Sequence, residues 1–265
     1  MYLGKQVRLE RILNRTTGRT IIVPMDHGVT MGLVDGLIDM REAVNDMAKA
    51  GADAVLMHKG LVRCSYRSAG RDIGLIIHLS ASTALSPHGN TKTLVGSVEE
   101  GIKHGADAVS VHINLGDPHE REMLADFGKV AEACDNWHMP LLAMVYARGP
   151  EIKNSFDPKN IAHCARVGVE LGADIVKVSY TGDIESFADV VDNCCVPVVI
   201  AGGERMDSDR AILQMTADSL KAGGSGISMG RNVFQHPRRV ELVKALRAIV
   251  HENATVDQAL ELMGE

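Results

Sequence analysis

The sequence predicts a single-domain α/β fold of the TIM (β/α)8 barrel type over residues 1–265. First, eight short apolar runs rich in β-branched residues alternate with amphipathic stretches of helical period. Second, Gly-Ala-Asp recurs at 51–53, 105–107 and 172–174, each time where a helix should end and a buried strand begin. Third, eight βα units usually take about 250 residues, and the first strand lacks the G-x-G-x-x-G turn of an open doubly wound sheet.

The apolar runs give the order of the elements. The strand candidates are residues 20–28, 50–58, 73–80, 104–112, 140–147, 171–179, 196–203 and 222–230. Pro237 to Glu265 is predicted to form the last helix of the barrel and a helical tail. The connection at 59–71 is too short for a full helix and is the weakest step in the count. No linker rich in Pro, Gly or Ser interrupts the sequence, which indicates one domain.

Composition narrows the class of protein. The chain is 45% apolar and 23% charged, with a formal net charge of -6, which gives no sign of a nucleic-acid surface. The first ten residues lack an apolar signal core, and no run approaches the roughly 18 apolar residues needed to span a bilayer. Five cysteines without C-x-x-C spacing indicate a reducing compartment. We therefore expect a cytoplasmic protein with neither membrane nor nucleic acid as a partner.

Lys177 is the most informative residue of the predicted interior. It lies in the apolar run ADIVKVS, and side chains alternate along a strand, so Ile175, Lys177 and Ser179 share one face. The helix-covered outside of a barrel strand must be apolar, which assigns Val176 and Val178 outward and Lys177 inward. A buried lysine has a depressed pKa, and its neutral amine can attack a carbonyl to form a Schiff base. A structural lysine paired with an acid is the alternative.

Two further residues sit at strand ends, where barrel enzymes carry their active sites. Tyr146 ends the fifth strand, beside the strand of Lys177 and in phase with Leu142 and Met144, where a phenol can donate a proton to a substrate oxygen. A core tyrosine with one hydrogen bond is the alternative. Asp26 ends the first strand and either exchanges protons or caps a turn.

Glycines follow the seventh and eighth strands, as Gly202-Gly203 and Gly230-Arg231. Loops after these two strands, with free backbone N–H groups at a helix start, form the recurrent phosphate site of barrels. The pair of loops therefore predicts a phosphorylated substrate, with Arg231 as a charge partner.

The strand-end histidines His27, His58, His78 and His112 raise the alternative of a metal site. Zinc takes three or four converging ligands, but neither H-x-H nor HExxH occurs, so we assign no metal and no cofactor. Lys59 also lies at a strand end, where a solvated lysine is the simpler expectation.

The collected motifs resemble the archaeal-type class I aldolase family over almost the whole chain, in order. They are VPMDHG at 23–28, MVYARG at 144–149, KVSYTGD at 177–183, VIAGGE at 199–204 and MGRNVFQH at 229–236. The resemblance implies a TIM barrel in which Lys177 forms the Schiff base, Tyr146 donates the proton and Asp26 is the acid/base. It also implies a ligand site lined by His27, Gly28, Val29, Thr30, Ala147, Arg148, Val178, Ser179, Gly202, Gly203, Gly230 and Arg231.

The resemblance implies a transferase of the aromatic amino-acid (3-dehydroquinate) pathway. Such an enzyme moves a hydroxyacetone unit from 1-deoxy-D-threo-hexo-2,5-diulose 6-phosphate to L-aspartate 4-semialdehyde, releasing hydroxypyruvaldehyde phosphate. Its partners are thus a phosphorylated sugar and a small aldehyde, and homo-oligomers, decamers among them, are common in the family. Fructose-bisphosphate aldolases of the same type are the alternative, but they usually carry Trp at the position of Met144.

Relatives that act as thiolases lack the tyrosine, so Tyr146 argues against them. Two positions depart from the family pattern: Ala147 replaces the usual Pro beside Tyr146, and Glu204-Arg205 follows the glycine pair where relatives often have Pro-Lys or Lys-Lys. An acid at Glu204 fits a substrate with one phosphate better than a bisphosphate. Two other classes stay open: a metal-dependent barrel aldolase, and a non-catalytic barrel that binds a sugar phosphate.

Overall fold

The computed structural model describes residues 3–65 and 72–264. Eight parallel strands close into a barrel. They are β1 (Thr20–Pro24), β2 (Ala54–Met57), β3 (Gly74–His78), β6 (Ala108–Leu115), β7 (Leu141–Ala147), β8 (Ile175–Val178), β9 (Val198–Ala201) and β10 (Gly226–Ser228). Around the barrel they pair in the order β1-β10-β9-β8-β7-β6-β3-β2. The predicted single-domain TIM barrel is confirmed, with every strand inside its predicted run or, for β6, extending past it.

Helices surround the barrel and fill the connections between its strands. They are α1 (Leu3–Leu9), α2 (His27–Met31), α3 (Met40–Ala50), α4 (Lys59–Val62), α5 (Val98–Lys103), α6 (Glu120–Asn136), α7 (Pro158–Glu170), α8 (Ile184–Asp192), α9 (Asp209–Lys221), α10 (Arg231–Phe234), α11 (Arg239–Glu252) and α12 (Val256–Met263). The short connection at 59–71 begins with the single turn α4, and its residues 66–71 lie outside the described part. Helices α11 and α12 form the predicted C-terminal helical segment, except for Glu265, which also lies outside it.

Side chains sort into two cores according to the alternation of the strands. The barrel interior contains Ile22, Leu56, Ile76, Leu142 and Ile175 in one cluster, while the layer between strands and helices is a second, larger cluster. Val176 and Val178 belong to the outer layer, and Ile175 to the inner one. Because Lys177 shares the phase of Ile175, the predicted inward direction of the lysine is confirmed.

The recurring Gly-Ala-Asp phrase has a structural cause. In all three copies the aspartate opens a strand and its Oδ2 atom accepts the backbone N–H of a neighbouring segment: Asp53 from Ile21, Asp107 from Leu75 and Asp174 from Leu141, at 2.7 to 2.9 Å. The same carboxylates face a basic side chain from a terminal segment, namely His251, Arg11 and Lys5 respectively. These aspartates therefore tie adjacent strands together at the end opposite the predicted active site.

An N-terminal plug, which the sequence analysis missed, closes that same end of the barrel. Helix α1 and the turn after it place Leu9 and Ile12 in the inner cluster, where Ile12 is fully buried. Thr20 donates its hydroxyl to the Ile12 carbonyl at 2.7 Å, which holds the plug against the first strand. The bottom of the barrel is thus filled with apolar side chains, and polar groups occupy the top.

A second unpredicted element follows β3 at the top of the barrel. Strands β4 (Ser80–Ala81) and β5 (Thr93–Leu94) pair antiparallel around the loop 82–92. Ser80 accepts the backbone N–H of His112 at 2.8 Å, which ties this hairpin to β6. The hairpin therefore lies over the strand ends on one side of the mouth.

Candidate active site

Lys177 lies inside the barrel near the carboxyl end of β8. Its side chain is 7% exposed. Burial lowers the pKa of the Lys177 ammonium to about 8; Asp26 acts to raise it and Arg148 lowers it further. A lysine of this kind holds a useful fraction of neutral amine near pH 7, as a Schiff-base nucleophile requires.

Asp26 lies just beyond the end of β1, surrounded by imidazoles. Its Oδ1 is 3.5 Å from His27 Nδ1 and its Oδ2 is 3.8 Å from His78 Nε2. Burial acts to raise the pKa of Asp26, but His78, His27, Lys177 and His58 together lower it to about 2. Asp26 is therefore a carboxylate at neutral pH and can accept a proton.

His78 fixes the environment of that carboxylate from β3. Burial lowers the pKa of His78 to about 4, so the ring is neutral near pH 7. Its Nδ1 is 2.8 Å from the hydroxyl of Ser110 on β6. Both ring nitrogens of His78 have a suitable partner when Nδ1 accepts the hydroxyl hydrogen of Ser110 and the Nε2–H group points toward Asp26. The ring of His58 lies 5.3 Å from that of His78.

Tyr146 is the second-last residue of β7, the strand next to that of Lys177, and is 9% exposed. The Arg148 guanidinium lies over its ring, 4.6 Å from the centroid. Burial raises the pKa of the Tyr146 phenol above its usual value, so the group stays protonated at neutral pH. Within the described residues the hydroxyl has no hydrogen-bond partner, which leaves its proton for a substrate oxygen.

A chain of polar groups beside Tyr146 was not predicted as a unit. His112 packs edge-on against the Tyr146 ring, 5.1 Å between centroids. Asn114 donates its amide N–H to the carbonyl of Asn90, which leaves Asn114 Oδ1, 2.9 Å from His112 Nε2, as an acceptor. His112 Nε2 must therefore carry the hydrogen, and its Nδ1 is an acceptor. Burial lowers the pKa of His112 well below its usual value, so the ring is neutral.

The two glycine loops are tied to each other. Arg231 donates Nη2–H to the Gly203 carbonyl at 2.8 Å, and Asn232 donates its amide to the carbonyls of Gly202 and Glu204. Gly230 lies against His27: a Cβ there would stand 2.5 Å from the ring carbon Cε1. The loops after β9 and β10 thus form one rigid wall next to the first strand, and the wall tolerates only glycine where it meets His27.

The remaining predicted site residues reach the mouth in different ways. Gly28, Val29 and Thr30 lie in the single turn α2 rather than in a loop, and the Thr30 hydroxyl donates to the Ser82 carbonyl. Ala147 and Val178 point into the outer layer, so only their backbone can meet a ligand. Ser179 follows β8 directly.

The structure shows where the other basic and cysteine residues lie. Lys59, expected to be solvated, is half-exposed and forms an ion pair with Glu100 at 2.7 Å. All five cysteines are free thiols.

Within residues 3–65 and 72–264, no three His, Cys, Asp or Glu side chains converge as metal ligands. Every helix in those ranges is too short or too polar to cross a bilayer.

The site combines a buried lysine of lowered pKa, a carboxylate and a protonated phenol at the carboxyl ends of barrel strands. This combination defines the protein as a class I aldolase, an enzyme that forms a Schiff base with its substrate. Comparison with known proteins gives the family. Residues 20–236 match the model of the DeoC/LacD family aldolases, and the chain belongs to that family.

Three relatives are informative. The chain is 42% identical over 261 residues, 98% of its length and 97% of the relative's, to 2-amino-3,7-dideoxy-D-threo-hept-6-ulosonate synthase of Halobacterium salinarum. It is also 42% identical over 252 residues, 95% and 92% of the two lengths, to 2-amino-4,5-dihydroxy-6-oxo-7-(phosphonooxy)heptanoate synthase of Streptomyces griseus. An archaeal fructose-1,6-bisphosphate aldolase, solved with its catalytic lysine bound to the carbinolamine intermediate, superimposes with TM-score 0.86 at 29% identity, covering 93% of this chain and 99% of the other.

Proposed function

We propose that this protein is a Schiff-base transaldolase that transfers a hydroxyacetone unit from 1-deoxy-D-threo-hexo-2,5-diulose 6-phosphate to L-aspartate 4-semialdehyde. The product is 2-amino-3,7-dideoxy-D-threo-hept-6-ulosonate, the compound that appears in the name of the Halobacterium relative. The single observation that carries the proposal is Lys177, buried inside the barrel beside Asp26 and one strand from Tyr146.

The first half-reaction cleaves the donor. Neutral Lys177 attacks the ketone next to the methyl group, and loss of water gives an iminium. Asp26 accepts the proton of the hydroxyl on the fourth carbon, because its low pKa keeps it ionised. The bond between the third and fourth carbons breaks, its electron pair passes to the iminium, and hydroxypyruvaldehyde phosphate leaves. An enamine of hydroxyacetone remains on Lys177.

The second half-reaction joins the enamine to the acceptor. The enamine carbon attacks the aldehyde carbon of L-aspartate 4-semialdehyde, and Tyr146 gives its proton to the developing alkoxide because its raised pKa keeps it protonated. Hydrolysis of the new iminium frees the amino-keto acid and restores the amine, and the proton that Asp26 accepted in the first half-reaction returns through solvent to the Tyr146 phenolate. The loops at Gly202-Gly203 and Gly230-Arg231 hold the phosphate of the donor, a role that their tied backbone and Arg231 support.

A second candidate shares this mechanism but keeps the phosphate on the product. The Streptomyces relative, at the same 42% identity, is named for a 7-(phosphonooxy)heptanoate. Fructose-bisphosphate cleavage is less favoured, because the structural relative of that name is 29% identical. Incubating the protein with aspartate semialdehyde and, in turn, the diulose phosphate, dihydroxyacetone phosphate or fructose bisphosphate separates the three. A phosphate-free amino-keto acid from the diulose phosphate alone supports the proposal; turnover restricted to either other substrate overturns it.

We further propose that the protein acts in the cytoplasm, which its five free thiols support, and that it forms a homo-oligomer, a decamer being the expected size from its family. Sedimentation of the purified protein tests the second point. A mass near 28.5 kDa at micromolar concentration would contradict it.

A further inference from the structure

Lys92 is a second lysine at the mouth, and the proposed mechanism does not use it. It ends the loop of the β4–β5 hairpin and is half-buried, with its ammonium donating to Ser82 Oγ at 2.5 Å and to the Gly89 carbonyl at 3.2 Å. Both acceptors are neutral. In the described part of the chain Lys92 forms no ion pair, so its charge is not neutralised by a carboxylate in contact with it.

Arg148 is the second cation at this position. Its guanidinium lies against the Tyr146 ring and is exposed to the mouth, and it too has no carboxylate partner among the described residues. Burial lowers the pKa of Lys92, and the charge of Arg148 lowers it further. Contacts bring the two cations to one side of the mouth: Asn90, two residues before Lys92, accepts the Asn114 amide, and Asn114 pairs with Tyr146, whose ring the Arg148 guanidinium covers. Like charges placed there repel each other, a cost that an anion bound between them would remove.

The position of this pair differs from that of the glycine loops. Lys177 lies on β8, with β7 on one side and β9 on the other. Arg148 follows β7, and the hairpin of Lys92 is tied to β6. Gly202-Gly203 and Gly230-Arg231 follow β9 and β10. The mouth therefore presents basic groups on both sides of Lys177, with Lys92 and Arg148 on the β6–β7 side and Arg231 on the β9–β10 side.

We propose that Lys92 and Arg148 form a second anion subsite, which binds the carboxylate of the acceptor aldehyde and so selects an amino-acid aldehyde as the substrate of the second half-reaction. The inference rests on the proposed function, in which the acceptor is a short aldehyde ending in a carboxylate. The phosphate of the departing aldehyde lies at a similar number of bonds from the reacting carbon. The proposed function places that phosphate at the glycine loops, so its binding to Lys92 and Arg148 is the competing assignment, and the experiment separates the two anions.

The test is Lys92→Met, measured as kcat/KM for each substrate separately. In a two-step transfer of this kind, kcat/KM for each substrate reports its own half-reaction. We expect kcat/KM for L-aspartate 4-semialdehyde to fall about ten- to a hundredfold, the usual effect of losing one charge-assisted contact. With propanal, an acceptor without a carboxylate, and with the diulose phosphate, the variant should stay within about twofold of the parent protein.

Three variants exclude a general effect on the loop. Lys59→Met removes another half-exposed lysine from the same end of the barrel. Ser82→Ala removes one hydrogen bond of Lys92 but leaves the Lys92 charge in place. Both should leave kcat/KM for the amino-acid aldehyde near the parent value, and Lys92→Arg should recover most of it. An equal loss with propanal would overturn the proposal, and a loss confined to the diulose phosphate would assign the pair to the leaving phosphate instead.

The same assays keep the two proposals apart. If the parent protein transfers to aspartate semialdehyde but Lys92→Met does so equally well, the subsite is wrong and the proposed function stands. If the parent protein forms no product from that aldehyde, the proposed function fails and the subsite fails with it.

Discussion

Among single residues, the pKa shifts of three side chains support the proposed roles of nucleophile, acid and base. Burial lowers the pKa of Lys177 to about 8 and raises that of Tyr146, whereas its neighbours lower that of Asp26 to about 2. Strand alternation predicted the inward direction of Lys177 and the phase of Tyr146, whereas Asp26 was singled out by its place at the end of the first strand. The sequence did not predict His78 and Ser110 behind Asp26, because contacts between separate strands depend on barrel register.

The lowered pKa of Lys177 predicts a pH dependence. Because the neutral amine is the nucleophile, the rate of adduct formation should rise as pH increases through about 8 and then level off. At pH 7 about a tenth of such amines are neutral, against roughly one in 3,000 for an ordinary lysine. The measurement is the initial rate of borohydride trapping with the donor between pH 6 and 10. A rate still climbing steeply above pH 9.5 would contradict the shift.

The role of Tyr146 predicts a loss of turnover that spares the covalent step. Tyr146→Phe removes the proton donor but keeps the ring against His112, so kcat should fall about 10²- to 10⁴-fold while the donor still forms an adduct with Lys177. Tyr180→Phe is the matched control, since the Tyr180 hydroxyl is buried without a hydrogen-bond partner in the described structure. Unchanged turnover in Tyr146→Phe would exclude the proposed role.

At the scale of elements, the recurring Gly-Ala-Asp phrase shows what a sequence repeat can and cannot reveal. Its glycine and strand onset predicted the helix-to-strand joints, because Gly51, Gly105 and Gly172 adopt positive φ there. The aspartate's hydrogen bond to the preceding strand was not predictable, since it joins residues about 32 positions apart. The β4–β5 hairpin was missed because two-residue strands carry no periodic signal.

The aspartate clamps predict a stability effect without a chemical one. Asp107→Ala leaves the Leu75 N–H unpaired at a buried site and removes one partner of Arg11, so the free energy of unfolding should fall by about 1–3 kcal/mol. Urea denaturation measures it, with the exposed Asp192→Ala as control. Adduct formation on Lys177 should persist, because Asp107 lies at the opposite end of the barrel. Equal stability of the two variants would contradict the clamp.

At the scale of the whole molecule, the barrel divides into an apolar closed end and a polar open end. The eight-unit count predicted the closed sheet, because alternating strands and helices of this length have few other arrangements. The N-terminal plug escaped prediction, since α1 is one short helix with few buried positions and its apolar residues fill a space that exists only after the barrel closes.

The plug predicts a cavity effect. Ile12→Ala should lower the free energy of unfolding by about 2–5 kcal/mol, because Ile12 is fully buried among barrel residues that cannot collapse onto a smaller side chain. Val7→Ala, in the same segment but 51% exposed, should change it by less than about 0.5 kcal/mol. Calorimetric unfolding of both variants is the measurement, and similar values for the two would show that the plug adds no stability.

The proposed function depends above all on covalent attachment of the donor substrate to Lys177. The most direct measurement is borohydride reduction in the presence of the diulose phosphate, followed by mass mapping of the peptides and repeated with Lys177→Met. We expect a reduced three-carbon adduct on the peptide containing Lys177 and none in the variant. Turnover by the intact protein without any adduct, or an adduct on another lysine such as Lys92, would contradict it.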